Sequence, residues 1–203
     1  MTPFGELEST SARGSLMGNR GILHDEHGRL GQRRWGHQSW ISCSLSAPGP
    51  KRPLAAPGHY TVLFFHDEAV ALASGHRPCV QCRRAAYECF VTAWKASHGM
   101  APDRFVSAKD IDAALHRTRI TRDRRQVRFA APLGSLPDGA FVVLPDDPDL
   151  PYLQWEGWLH PWSHAGYGLP KSALENTVVM VLTPAPTVDV LRAGYRAFLT
   201  EPC

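Results

Sequence analysis

The run Pro78-Cys79-Val80-Gln81-Cys82 places two thiols three positions apart in one tight turn. A C-x-x-C pair does two kinds of chemistry. It supplies two of the four nitrogen or sulfur ligands that Zn2+ takes, or it cycles between dithiol and disulfide. Pro78 stiffens the turn, and Arg83 and Arg84 directly after it favour thiolate over thiol. A thioredoxin-like redox pair follows a strand in a βαβ context. Here a short helix is expected before the pair, which favours metal. A zinc-dependent nucleobase deaminase is a further alternative, because that chemistry uses H-x-E followed by P-C-x-x-C. His66-Asp67-Glu68 and His24-Asp25-Glu26 both precede the knuckle. The interval from Glu68 to Pro78 is too short for the helix and strand that separate the deaminase ligands. His24 falls in an expected hairpin rather than at a helix start.

The elements that must hold this turn are legible on either side of it. "YTVLFF" (60–65) reads as a strand, and His66 or Asp67 can cap a short helix over 68–74. Gly75 is placed to end that helix in the left-handed conformation. After the knuckle, 83–98 reads as a longer helix with Tyr87, Phe90 or Val91, and Trp94 at helical spacing, ended by Gly99. Cys89 is expected on its buried face. A further helix is expected over 108–116, with Ser107 and Asp110 near a capping-box relation. Upstream, "RGILHDEHGRL" reads as a hairpin and "SWISCSL" as a strand. On that strand Trp40, Ser42 and Ser44 share one face, and Ile41, Cys43 and Leu45 the other. The stretch 46–59 is a proline-glycine loop.

The run "FFHDEAVALASGHRPCVQCRR" resembles the N-terminal zinc-binding module of the Ada alkylation-repair family, over about residues 60–84. The matching residues are Ala71, Leu72, Ala73, Gly75, Arg77, Pro78, Cys79 and Cys82, after a strand that matches without a gap. The resemblance implies a zinc site of Cys43, Cys79 and Cys82, with Cys43 on the strand that carries the family's first cysteine pair. That pair is C-x-x-x-C, and here Ser39 and Ala47 stand where its second cysteine would be. Some related modules use a histidine just before the remaining cysteine, and His37 occupies such a place. Positions six apart share a face of an extended strand. His76 and His59 are the other candidates for the fourth ligand. In Ada itself a zinc-bound cysteine accepts a methyl group from a DNA phosphotriester. With half the first pair missing, a structural zinc site is the preferred expectation here. The resemblance also implies that Arg77, Arg83 and Arg84 face DNA.

Basic residues gather a second time in "HRTRITRDRRQVR" (116–128). Arg117, Arg119, Arg122, Arg124 and Arg125 there suit a phosphate backbone. "LQWEGWLHPWSHAGYG" (153–168) gathers Trp155, Trp158, His160, Trp162, His164 and Tyr167. These residues suit either a stacking platform or pocket, as an enzyme would need, or the core of a small barrel. No P-loop, G-x-S-x-G or H-E-x-x-H motif is present.

Composition sets the frame. The 203 residues are 43% apolar and 20% charged, with a net charge of +3, which is ordinary for a globular chain and mild enough to leave nucleic acid open. No apolar run reaches membrane-spanning length, so no membrane partner is expected. Residues 1–14 lack the apolar stretch of a secretory signal and read as a disordered tail. The five cysteines are Cys43, Cys79, Cys82, Cys89 and Cys203, an odd and clustered set that suits metal binding in a reducing cytoplasm better than a disulfide framework. The expectation is an α+β protein. Residues 15–116 would form an Ada-like module, a zinc-stabilised α/β front half, and 117–203 a β-rich, barrel-like back half. The boundary is soft, and a single domain is the alternative. The expected function is a zinc protein that binds or acts on nucleic acid, with DNA the first partner considered.

Overall fold

A computed structural model describes residues 1–46 and 53–199. Cys203 and part of the proline-glycine loop lie outside them. The strands of the first sheet are β1 (Leu16–Asn19), β2 (Ile41–Ser44), β3 (Leu63–Phe65) and β4 (Arg77–Pro78), in the order β3-β1-β2-β4. Close approach within this sheet requires glycine at position 18. A Cβ there would lie 2.1 Å from the Ile41 carbonyl oxygen. β4 pairs parallel to β2, Ile41 opposite Arg77 and Ser42 opposite Pro78.

Between β3 and β4 runs α1 (Glu68–Ala73), whose every residue is buried. Its sequence EAVALA has no polar face, so a central position is the only one that suits it. Asp67 caps it, accepting from the Val70 N–H at 3.0 Å and from the Tyr167 hydroxyl at 2.7 Å. Gly75 then turns the chain at φ +84°. A Cβ there would lie 2.7 Å from Arg119 Cδ. α2 (Arg84–Ser97) and α3 (Ala108–Arg119) follow. Ser107 caps α3 through the Asp110 N–H, as its spacing indicates. α3 runs one turn past the expected end.

The second sheet comprises β5 (Phe129–Pro132), β6 (Phe141–Leu144), β7 (Asp147–Trp155), β8 (Trp158–Ser163), β9 (Gly166–Tyr167) and β10 (Val178–Val181). Its order is β5-β10-β6-β7-β8-β9. The fold is therefore α+β as expected, but the sheet is open, not a closed barrel. β5 and β6, on either side of Pro137-Asp138-Gly139, do not pair with each other. β10 inserts between them, pairing antiparallel with both. The last described helix is α4 (Ala185–Arg192), with Pro184 at its N-cap position. No helix among the described residues is long and apolar enough to cross a membrane.

One apolar cluster joins the two halves. It holds Leu16, Phe65, Leu72, Phe90 and Ile111 from the front, and Phe141, Leu153, Trp162, Leu182 and Val190 from the back. The first residues of the chain also belong to it. Met1 is buried, and its ammonium donates to the Phe64 carbonyl at 3.0 Å. The disordered tail expected over 1–14 is thus corrected at its start, because a tail without apolar periodicity still buries single residues along a sheet edge.

The one carboxylate inside α1 is Glu68. It accepts from the Tyr195 hydroxyl at 2.6 Å and the Phe198 N–H at 2.9 Å, and it pairs with Arg83 at 2.9 Å. Replacing it leaves Arg83 without its carboxylate and the Tyr195 hydroxyl and Phe198 N–H without their acceptor. Glu68→Ala is expected to cost about 3–5 kcal/mol in urea unfolding. A loss below about 1 kcal/mol, the level of an exposed pair, would contradict this role.

Candidate metal centre

Cys43 lies on β2, Cys79 directly after β4, and Cys82 just before α2. β4 places them together. The Cys79 N–H donates to the Ser42 carbonyl at 2.9 Å, which continues the β2–β4 pairing into the knuckle. The Arg83 N–H then closes the turn on the Cys79 carbonyl at 3.2 Å. The three sulfur atoms lie within 4.8 Å of one another. No disulfide joins them. Cys79 is buried, and the other two are partly exposed.

The electrostatics of the trio are uneven. Burial pushes the Cys79 thiol up, but the N–H groups of Cys82 and Gln81 aimed at its sulfur outweigh that and hold it below its usual range. Burial raises Cys43, and the adjacent Cys79 and Cys82 raise it further. Sulfurs this close favour one thiolate and resist a second unless a cation shares them. The donor set is soft and sulfur-only, which suits zinc among the common metals. The trio therefore fits a metal ion, though its identity does not follow from the residues alone.

The histidines considered as fourth ligand do not join this group among the described residues. His37 Nε2 lies 3.0 Å from Asn19 Oδ1, and His59 Nδ1 lies 3.0 Å from the Pro57 carbonyl. His76 is fully enclosed elsewhere. Its Nε2 faces Arg20 Nε at 3.3 Å, so Nε2 accepts, and Nδ1 lies 3.0 Å from Ser74 Oγ. Its ring packs against Phe65 and Trp40. Neither H-x-E histidine belongs to the group either, so the deaminase arrangement does not form. His24 Nδ1 instead meets Thr61 Oγ1 at 2.6 Å. Cys89 is exposed on α2, not on the buried face.

The arginines divide in a way the sequence does not disclose. Arg77 is buried in a two-point pair with Asp112 of α3, Nε to Oδ1 and Nη2 to Oδ2, both 2.8 Å. Arg83 pairs with Glu68, and its Nη1 also reaches Ser42 Oγ at 2.9 Å. Arg119 is 2% exposed. These three face inward and are not available to a phosphate backbone at the surface. Arg84 pairs with Glu88 on the exposed side of α2. Arg117, Arg122, Arg124 and Arg125 are exposed.

The aromatic stretch of the back half forms no single pocket. Trp155 lines a cavity with Tyr195 and Arg196, whereas His164 lines a different one beside Met1 and Phe65. His164 also meets Glu8 at 2.8 Å. Trp162 and His160 are buried, Trp158 is exposed on the sheet, and Tyr167 is bound to Asp67. Trp158, His160 and Trp162 share one face of β8, with Trp155 and Tyr167 paired to Trp158 and Trp162 on the neighbouring strands, and that face is filled by the main core at Trp162 and left open at Trp158.

No protein-family model matches the chain, and no curated protein or solved structure is significantly similar to it.

Burial, with Arg20 and Arg119 beside it, holds the His76 ring well below its ordinary value of 6.5. The unfolded chain takes up a proton there as pH falls through that value, and the folded chain refuses it. Stability is therefore expected to fall below about pH 6.5, with a limiting slope near 1.4 kcal/mol per pH unit from this group. His76→Gln removes that contribution. Equal acid slopes for the two proteins in urea titrations at pH 5–7 would show that His76 is not held neutral.

Proposed function

We propose that this is a zinc-binding protein in which Cys43, Cys79 and Cys82 hold Zn2+ in a structural role, and that its exposed arginines bind nucleic acid, with DNA the first candidate. The observation that carries the metal reading is the approach of three sulfurs from two separate segments, β2 and the turn before α2, to within 4.8 Å. Zinc bound there supplies a cross-link between these segments. Cys43 anchors β2, and Cys79 and Cys82 anchor the turn into α2. A structural zinc site takes four ligands, and the trio provides three. Cys203 lies outside the described residues and is tested directly below.

The nucleic-acid reading is supported by Arg117, Arg122, Arg124 and Arg125, which are exposed at the end of α3 and in the segment after it. The likeness of residues 60–84 to the Ada module adds to it. Protein–phosphate association at such a surface is driven by counterion release and weakens steeply with salt.

Metal analysis of the purified protein is expected to find about one zinc per chain. Cys79→Ser should lose most of it, while Cys89→Ser keeps it. Stoichiometric zinc in the Cys79 variant defeats the metal reading. Cobalt substitution of the parent and of Cys203→Ser then compares sulfur-to-metal charge-transfer intensity. A drop in the variant identifies a fourth thiolate, and an unchanged spectrum leaves three. For DNA, log affinity against log salt should have a slope of about −3 to −4 if four phosphates are neutralised. The Arg117→Ala/Arg122→Ala variant should flatten it by about 2. A slope near zero in the parent excludes this mode of binding.

A further inference from the structure

On the far side of β2 from Cys43 lies a cavity of about 590 Å³. Six arginines line it: Arg20, Arg34, Arg119, Arg124, Arg125 and Arg128. Glu6 is the one acidic residue in its wall, and Trp35, Trp40 and Phe4 supply aromatic surface. The volume falls in the range of small-ligand sites.

Two of these arginines are buried without a direct carboxylate partner, although Asp112 lies near enough to Arg119 to favour its charge. Arg20, 4% exposed, donates to the Gly5 carbonyl at 3.0 Å, the Ser74 carbonyl at 2.8 Å and His76 Nε2. Arg119 donates to the Gly75 carbonyl at 2.8 Å and the Gln38 carbonyl at 2.6 Å, and its buried Nε has no partner among the described residues. All these acceptors are neutral. Among the described residues neither guanidinium forms an ion pair. Both lie over the Trp40 ring, at 3.9 and 3.8 Å from its centroid. The ring offsets part of the cost of burying them. It does not neutralise them, and burying charge without a counterion is costly. Burial, then Arg119 and Arg34, depress the Arg20 guanidinium well below its ordinary value. Burial lowers Arg119 to about 9, which still leaves it charged at neutral pH.

Elsewhere the chain pairs its buried arginines strictly, Arg77 with Asp112 and Arg83 with Glu68. Arg20 and Arg119 are the exception. We infer that the cavity binds a nucleoside 5′-phosphate monoester, with the phosphate drawn to the guanidiniums of Arg20, Arg34 and Arg119 and the base against Trp35. Arginine is the side chain best shaped for a phosphate dianion. Trp35 is half-buried at the wall, so a planar ring can share its face. The phosphate monoester has two sources, a free nucleotide or the 5′ end of a strand. The cavity shares Arg124 and Arg125 with the surface set of the nucleic-acid reading above, but the guanidiniums assigned to the phosphate lie outside that set, so the inference does not depend on that reading.

The test uses the full chain, titrated with AMP and followed by calorimetry and by tryptophan fluorescence at constant chloride. AMP should bind, and adenosine, which lacks the phosphate, should bind at least about tenfold more weakly. Arg34 is exposed and Arg124 sits in a surface turn, so Arg34→Ala/Arg124→Ala is expected to fold. It should weaken AMP at least about tenfold, while Arg117→Ala/Arg122→Ala leaves AMP unchanged. A 5′-phosphorylated tetranucleotide that displaces AMP, where its unphosphorylated form does not, assigns the phosphate to a strand end. Failure to displace assigns it to a free nucleotide. No AMP binding, adenosine binding as tightly as AMP, or an AMP affinity unmoved in the Arg34/Arg124 variant each overturns the inference. Loss of DNA binding in the Arg117/Arg122 variant with AMP binding intact would separate the two readings.

Discussion

The Glu68 carboxylate is the constraint on which the arrangement of the chain depends. It begins a helix that has no polar face, so it enters the interior with that helix. A charge so placed is tolerated only when its lone pairs are filled. Tyr195 and the Phe198 N–H arrive from the segment after α4, and Arg83 arrives from the start of α2. The Glu68 N–H is in turn taken by the Phe198 carbonyl at 3.1 Å. One carboxylate thus draws the end of the described chain, the central helix and the cysteine turn to one point. Arg83 follows Cys82 directly, so the same pairing fixes where the second thiol of the knuckle sits.

A second buried pair acts on the other side of that turn. Asp112 grips Arg77 at two points, and Asp112 Oδ2 also accepts from Ser39 Oγ at 2.7 Å. α3 is therefore tied to β4 and to the residue just before Trp40. Between the Asp112 and Glu68 anchors, the segment from Arg77 to Arg83 has little freedom. The convergence of Cys79 and Cys82 on Cys43 is a consequence of two ion pairs and a parallel strand contact. Apart from the N–H groups aimed at the Cys79 sulfur, the contacts that hold the knuckle in place do not involve sulfur.

Local chemistry was readable in the sequence, and long-range pairing was not. The Asp67 cap, the Gly75 turn and the Ser107 cap each follow from a residue's own hydrogen-bonding or conformational preference, and each is found where that preference puts it. The cysteine turn and the facing of β2 were legible for the same reason. The roles of Arg77, Arg83 and Arg119 were not. A basic cluster reads as surface until its carboxylates are located, and Glu68 and Asp112 lie far from the surface segments in which one would look for them. The open sheet was missed because β10 comes from a distant part of the chain to separate β5 from β6, and no local pattern encodes that insertion. The aromatic stretch misled for a simpler reason. Its tryptophans share one face of β7 and β8, but that face packs into the main core at Trp162, so it fills with side chains rather than enclosing a pocket.

The alternation of β2 links the two features that most invite function. Ser42 is fully buried on one side, with Trp40 just before it, while Cys43 lies partly exposed on the other. The cysteine trio therefore gathers on one face of the strand, and the Trp40–Arg20–Arg119 cluster on the opposite face. A one-residue slip of β2 against β4 would exchange these faces, presenting Ser42 to Cys79 and turning Cys43 toward the guanidiniums. Register here is set by the Arg77 N–H on the Trp40 carbonyl at 3.1 Å and the Cys79 N–H on the Ser42 carbonyl. The bond that aligns the thiols and the bond that seats Trp40 beneath its arginines are neighbours in the same short ladder. Whatever strengthens that ladder, including a cation shared by the three sulfurs, also steadies the aromatic floor of the arginine-lined cavity.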